Sequence, residues 1–338
     1  MGRYLLRSAT STSSTSPAQD SDDDTTSTIT SKKINPYRFY MEWHGHPISS
    51  LRKFHNTVQT LRPTQPIIWL AGDSSLDNKY WVPSSGPGGE PLTVPVPEIY
   101  NSVLEHPRIN PDVAFWMNHH LSSRATCINT SVEATMLRER DDHLNKHDTF
   151  IQNNISSNDA LVVSIGANDI ALRPTFSTII NMLNLAWLTR RTAIETGSAS
   201  PLAYFAELFG ARIQEYISRI TSKTKPRVVI VCMIYFPLEA GKGQQGWADV
   251  NLKALGYNRY PSQLQTAIQK IYEIGTQTIR VPGVKVVPCP LYEVLDGQDP
   301  ADYTARVEPS SEGGRKMAAK FVEMLEREGV VDSRANFF

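Results

Sequence analysis

The stretch Ile67-Ile68-Trp69-Leu70-Ala71-Gly72-Asp73-Ser74-Ser75-Leu76-Asp77-Asn78 organises the chain. It opens as an apolar run, which suits a strand buried on both faces. Gly72 then breaks the run where the backbone can turn tightly. Ser74 follows at once, between Asp73 and Asp77. A doubly wound α/β sheet presents a nucleophile in this order: strand, sharp turn, hydroxyl, helix N-terminus. The helix start would also favour the negative charge that develops at an attacked carbon. Taken alone, the serine reads equally well as a helix N-cap, because Ser and Asp are preferred capping residues.

Outward from this stretch, strand and helix alternate. A strand over residues 67–71 is followed by a long Pro- and Gly-rich loop over 80–97, including Gly86-Pro87-Gly88-Gly89. The loop leaves the same sheet edge as Ser74 and is expected to wall a pocket. A short helix over 111–122 leads into a second strand over 125–129, then a charged helix over 136–153 and a third strand over 160–165. Residues 174–225 read as largely helical and exceed an ordinary crossover. Within them, 179–188 are unusually apolar, which suits a buried core helix or, alternatively, a lid or partner face. A fourth strand covers 227–235. Residues 236–260 form an irregular excursion containing Gly241, Gly243, Gly246 and Trp247. A helix over 261–279, a fifth strand over 284–288 and a closing helix over 309–328 complete the pattern. Such alternation predicts a parallel sheet covered on both faces.

Upstream, residues 36–62 hold His44-Gly45-His46 and an amphipathic segment over 51–61. No second group of ligands lies near the His-x-His pair, so no metal is expected there. Residues 1–33 are dominated by Ser, Thr and Asp and cannot bury enough apolar surface to offset ordering. The expected organisation is a flexible tail over 1–35 and a single domain over 36–338. Arg3 and Arg7, with no acid before Asp20, faintly resemble a mitochondrial presequence, against which the Asp22-Asp23-Asp24 cluster counts. Gly2 raises myristoylation, but Leu6 stands where that motif needs Ser or Thr.

The chain has 338 residues, and its 34 Lys plus Arg balance its 34 Asp plus Glu. No field of one sign marks a nucleic-acid binder. No apolar run is long enough to span a bilayer. Cys127, Cys232 and Cys289 are widely spaced and read as buried, reduced thiols, so a cytoplasmic setting is the default and a mitochondrial one the alternative. The sequence carries no signal for oligomeric state.

Ligands of such sheets sit outside the carboxyl ends of the strands. Three of those ends carry suitable groups: Ser74, the turn 129–134, and Asn168. Acyl transfer needs a nucleophile and donors aimed at the oxyanion. Ser74 offers a hydroxyl and a backbone N–H, Ala134 a backbone N–H, and Asn168 an amide that is neutral at every pH.

Here the sequence resembles the SGNH (GDSL-type) hydrolases, an esterase and lipase superfamily. Gly72-Asp73-Ser74-Ser75-Leu76 looks like that family's first block and Gly166-Ala167-Asn168-Asp169 like its third. The resemblance runs over about residues 67–322. It implies a three-layer, flavodoxin-like α/β fold with a parallel sheet of about five strands. It also implies a Ser74 nucleophile with Asn168 as oxyanion donor, a small-molecule or lipid ester as substrate, and no metal or organic cofactor. The second block departs: Ala134 stands where the family places a glycine, and its N–H survives as a donor if the backbone there needs no positive φ. Glu133 stands where a small residue is usual, and a carboxylate there would oppose an oxyanion unless it turns away or meets a cation.

The last block departs further. The family's Asp-x-x-His matches Ala305-Arg306-Val307-Glu308, and no histidine follows His147. Three readings stay open. Glu308 is the base, its pKa raised by burial and opposed by Arg306. Or a histidine elsewhere serves: His44, His46 and His106 are the freest, whereas His119 and His120 are expected at the wrong edge of the sheet and His143 and His147 two or three turns into a helix. Or the chain is a catalytically impaired pseudoenzyme that binds a ligand or acts as a scaffold. Glu308 also reads as an acid stabilising the helix that begins near Pro309. Asp299 and Asp302 read as loop-capping acids, Asp73 and Asp77 as Asx-type supports of the serine turn. Arg173 is placed for an anionic substrate group.

Overall fold

The computed structural model describes residues 33–82, 92–106, 109–242 and 246–333. The flexible tail expected over 1–35 falls almost wholly outside the described residues, and so do Gly86-Pro87-Gly88-Gly89. The end of that tail does not fit the expectation: Ile34 is buried and its N–H donates to Val103 O at 2.8 Å, and Asn35 caps the helix Pro36–Met41.

Five strands, β1 (Ile67–Gly72), β2 (Thr126–Asn129), β3 (Ala160–Ser164), β4 (Val228–Met233) and β5 (Val286–Pro290), form one parallel sheet in the order β2-β1-β3-β4-β5. This is the flavodoxin-like order, with its switch point between β1 and β3. The first four are buried along their whole length, β1 and β4 as continuous apolar runs, β3 as one up to Ser164, and β2 with Thr126 and Asn129 at its ends. That is the signature of strands covered on both faces.

Helices supply the two covers. Trp69 of β1 meets His55 of the helix Ile48–Leu61 and Phe150 of the helix Lys146–Asn154, at ring-centroid distances of 5.6 and 6.0 Å. Asn118 of the helix Val113–Leu121 brackets β2, donating to Cys127 O at 3.0 Å and accepting from Cys127 N at 2.9 Å. That helix meets the closing helix Ser311–Arg327 through Trp116 Nε1, which donates to Ser311 Oγ at 3.0 Å. The cysteines are buried and free, Cys232 and Cys289 being register partners on β4 and β5.

Register decides where the site lies. Leu70 pairs with Asn129, and Gly72 with Ser164. The carboxyl ends of β1, β2 and β3 therefore share one rim, from which Ser74, the 129–135 turn and Asn168 all depart. A two-stranded antiparallel unit, β6 (Tyr303–Ala305) and β7 (Glu308–Pro309), precedes the closing helix and carries Glu308.

Two elements differ from expectation. The helix expected over 136–153 is a 3-10 turn, Leu137–Arg140, a break, and then Lys146–Asn154. A buried ion pair closes the break, Arg140 Nε donating to Asp148 Oδ2 at 2.8 Å, while Asn145 caps the second helix. His147 therefore sits in the first turn, not deep in a helix. The apolar stretch 179–188 is not a core helix. It belongs to the helix Phe176–Leu183 and a π-helical turn, Asn184–Leu188, of which Leu185 is buried but Ile179, Ile180, Leu183, Trp187 and Leu188 are exposed.

Candidate active site

The serine turn is shaped by Asp73. Its Oδ1 accepts the Ser75 N–H at 3.0 Å and the Ser75 hydroxyl at 2.8 Å. These are the Asx-type bonds expected there. Gly72 passes so close to β3 that a Cβ would stand 1.9 Å from Ser164 O, so no other residue fits. Asp77 does a different job from the one expected. It accepts Lys79 Nζ at 2.7 Å in a fully buried ion pair and the Glu133 N–H at 3.0 Å, which joins the serine turn to the second turn. No α-helix starts after Ser74; the chain makes a turn and the 3-10 segment Asn78–Tyr80. The Ser74 side chain caps no helix, which removes the N-cap reading and the expected dipole contribution alike.

In the second turn, Val132 N–H donates to Gly72 O at 3.0 Å. Ala134 has φ +58°, so this position does use the left-handed region where glycine is at ease. The backbone N–H groups of Ser74 and Ala134 make no hydrogen bond among the described residues. Asn168, 5% exposed, donates one amide hydrogen to Thr135 O at 3.0 Å, and its second is unused. Asp169 beside it accepts the N–H groups of Leu137 and Arg138 at 2.6 and 3.2 Å, locking the third block onto the second.

Glu308 is 2% exposed and borders the same space as Ser74. Trp247 Nε1 donates to its Oε1 at 3.0 Å. Its Oε2 has no partner at hydrogen-bonding distance, yet the Ser74 hydroxyl lies close enough to favour the charged form. The contact between them is therefore looser than a full hydrogen bond. Burial pushes Glu308 up to about 8, and the nearby Glu133 and Asp73 add to the rise. Arg306 does not oppose this. Its guanidinium turns to Leu238 O at 2.9 Å, Asp249 Oδ1 at 2.9 Å and Asn258 Oδ1 at 2.8 Å, stapling the 236–260 excursion. Glu308 is no dipole partner of the closing helix either; Ser310 caps that helix.

Ala305, where the resemblance places the orienting acid, is buried against the excursion. A Cβ on Gly246 would stand 2.9 Å from Ala305 Cβ. The space an aspartate would need is taken by the backbone that delivers Trp247. The signal for this indole in the sequence was no more than a tryptophan next to a glycine in an irregular excursion. Glu133 has a similar donor, Trp81 Nε1 at 2.9 Å, and burial raises it to about 7, so it holds much of its proton near neutrality. Asp73 rises to about 6, again chiefly through burial.

Ser74, Asn168, Glu308 and Trp247 line one cavity of about 140 Å³ that runs inward between Phe209, Met233 and Ile271. Ala134 does not line it; the turn that holds Ala134 is tied to the wall where Asn168 donates to Thr135 O. Arg173, Asp299, Asp302 and the histidines do not line it. Asp299 accepts the Ala301 N–H at 2.9 Å, the capping role expected, and Asp302 pairs with Lys316 at 2.7 Å. His46 Nδ1 lies 2.6 Å from Phe39 O and His147 Nε2 2.8 Å from His46 O, both buried. Among the described residues, no group of three or more His, Cys, Asp and Glu side chains is placed to hold a metal. The described parts of the 80–97 loop do not wall the cavity.

No family model matches the chain, and no curated protein matches it. Solved structures are similar at low identity. A candidate platelet activating factor from Streptococcus pneumonia is 14% identical over 85% of this chain and 94% of that one, with a TM-score of 0.39. A candidate GDSL-like lipase from Bacteroides ovatus is 10% identical over 80% and 55%, TM-score 0.38. A phospholipase A1 from Streptomyces albidoflavus is 13% identical over 76% and 99%, TM-score 0.35.

Proposed function

We propose that the chain is an SGNH-type serine esterase that cleaves a carboxylic ester through an acyl-enzyme on Ser74. The observation that carries this reading is the meeting of Ser74, Asn168 and Glu308 at the mouth of one apolar cavity. Ionised Glu308 takes the Ser74 proton as the hydroxyl attacks the ester carbonyl, and later returns it to the leaving alcohol. The Ser74 N–H, the Ala134 N–H and the free Asn168 N–H hold the oxyanion. Trp247 aims the Glu308 carboxyl, the work an aspartate does for a histidine base. The cavity takes the acyl chain. Its size suits on the order of six carbons, as an engineered apolar cavity of about 150 Å³ holds benzene.

The competing reading is a ligand-binding protein without turnover. It is favoured by the buried, unpartnered oxygens Asp73 Oδ2, Glu133 Oε2 and Glu308 Oε2, whose charge, once the carboxyls ionise, would oppose an oxyanion. A fluorophosphonate probe separates the two. Labelling lost in Ser74→Ala supports the esterase, whereas a folded chain that never labels is the binder.

A further inference from the structure

The segment 176–188 is apolar on two sides. Its inner side, including Met182, Leu185 and Ala186, lines the cavity below Ser74. Its outer side shows Phe176, Ile180, Leu183 and Leu188 to solvent, Phe176 and Leu188 at 79% each. Surface helices normally turn a polar face outward, and a continuous apolar row marks a surface meant to be covered. Trp187, half exposed, extends the row. Its indole donates to Ala254 O at 2.8 Å and so ties the turn to the helix Asp249–Ala254, whose Val250 is exposed too.

The unpaired charge around this row is cationic, because the nearest acids, Glu195 and Asp249, are each committed to an arginine, Arg191 and Arg306. No Asp or Glu occurs between Asp169 and Glu195. Arg173 and Arg190 stand exposed at either end of the segment, and Lys253 and Arg259 on the adjoining one. None of these cations joins a salt bridge among the described residues. We propose that this face docks on an anionic phospholipid surface and that the acyl chain enters the cavity across the 176–188 segment. The apolar row sinks to the boundary of headgroups and acyl chains, Trp187 sits at headgroup level, and the basic residues meet lipid phosphates. A second copy of the chain fits less well, because a two-fold contact would set this cationic rim against itself. Docking needs no catalysis; the passage of an acyl chain rests on the esterase reading.

The test uses the full chain carrying Ser74→Ala and vesicles of phosphatidylcholine with or without phosphatidylserine. Sedimentation with the anionic vesicles is expected, weakened by salt. It should fall on the order of tenfold in Phe176→Ser/Ile180→Ser/Leu188→Ser, which removes only outward-facing apolar groups. Melting and circular dichroism of the triple variant should match the parent. Absence of vesicle binding, binding indifferent to vesicle charge, or equal binding by the triple variant overturns the proposal. So does a concentration-dependent dimer that the triple variant abolishes. Vesicle binding by a wild-type chain, with Ser74 intact, that never reacts with fluorophosphonate would refute the esterase and leave the docking face standing.

Discussion

At Glu308 two readings make opposite predictions. An acid stabilising a helix start would cost stability when neutralised. A carboxyl raised to about 8 by burial is protonated at neutral pH and becomes a base only above it. The fraction able to accept the Ser74 proton grows with pH, so kcat/KM should rise with an inflection near 8, where a histidine base would inflect near 6.5. Glu308→Gln should lower turnover roughly 10²- to 10⁴-fold. It should also raise Tm at pH 9, because it removes a buried charge without emptying the site. A flat pH profile or a lower Tm would return Glu308 to a structural role. Ala134 carries a second residue-scale prediction. Left-handed backbone costs a non-glycine residue about 1–2 kcal/mol, and glycine gives back about 0.5–1 kcal/mol in unfolded-state entropy. Ala134→Gly should therefore gain roughly 0.5–1 kcal/mol in urea unfolding and keep its activity, since the N–H remains.

At the scale of elements, the β1–β3 crossing sets the site. Gly72 pairs with Ser164, and its missing side chain lets the serine turn fold over β3. Gly72→Ala drives a methyl into the Ser164 carbonyl, backbone that cannot yield, and is expected to cost more than about 4 kcal/mol. Soluble yield and melting would show it; a folded variant with normal Tm would mean that the two strands can part. The excursion 236–260 is the other decisive element. Arg306 pins it to the β6–β7 unit and Gly246 brings it over Ala305, so Trp247 reaches a carboxylate that lies 61 positions further along the chain.

Across the whole molecule, buried carboxyls dominate the pH response. Asp73, Asp112, Glu133 and Glu308 are raised to about 6, 7, 7 and 8, each chiefly by burial. A raised carboxyl holds its proton more tightly in the folded chain. Its contribution is complete below the unfolded pKa and is lost as pH rises through the folded one. Stability should thus decline between pH 6.5 and 9. Buried His46, His55 and His147, all lowered chiefly by burial, add no slope there because they are neutral in both states over most of that range. Calorimetry across that range checks this. Tm that climbs toward pH 9 would contradict it. Activity and stability should accordingly peak at different pH.

The sequence by itself determined the five strands, their alternation with helices, and the turns that carry Ser74 and Asn168. Those signals are local: continuous apolar runs, a glycine, a short motif. It left open whether Ala134 takes a positive φ. Only the tertiary structure decided that Glu308 is desolvated, that Arg306 turns away from it, and that Trp247 donates to it. It alone turned 176–188 inside out, with one apolar face on the cavity and one in water. Burial and aim depend on which distant segments pack together, and periodicity along one segment carries no record of that.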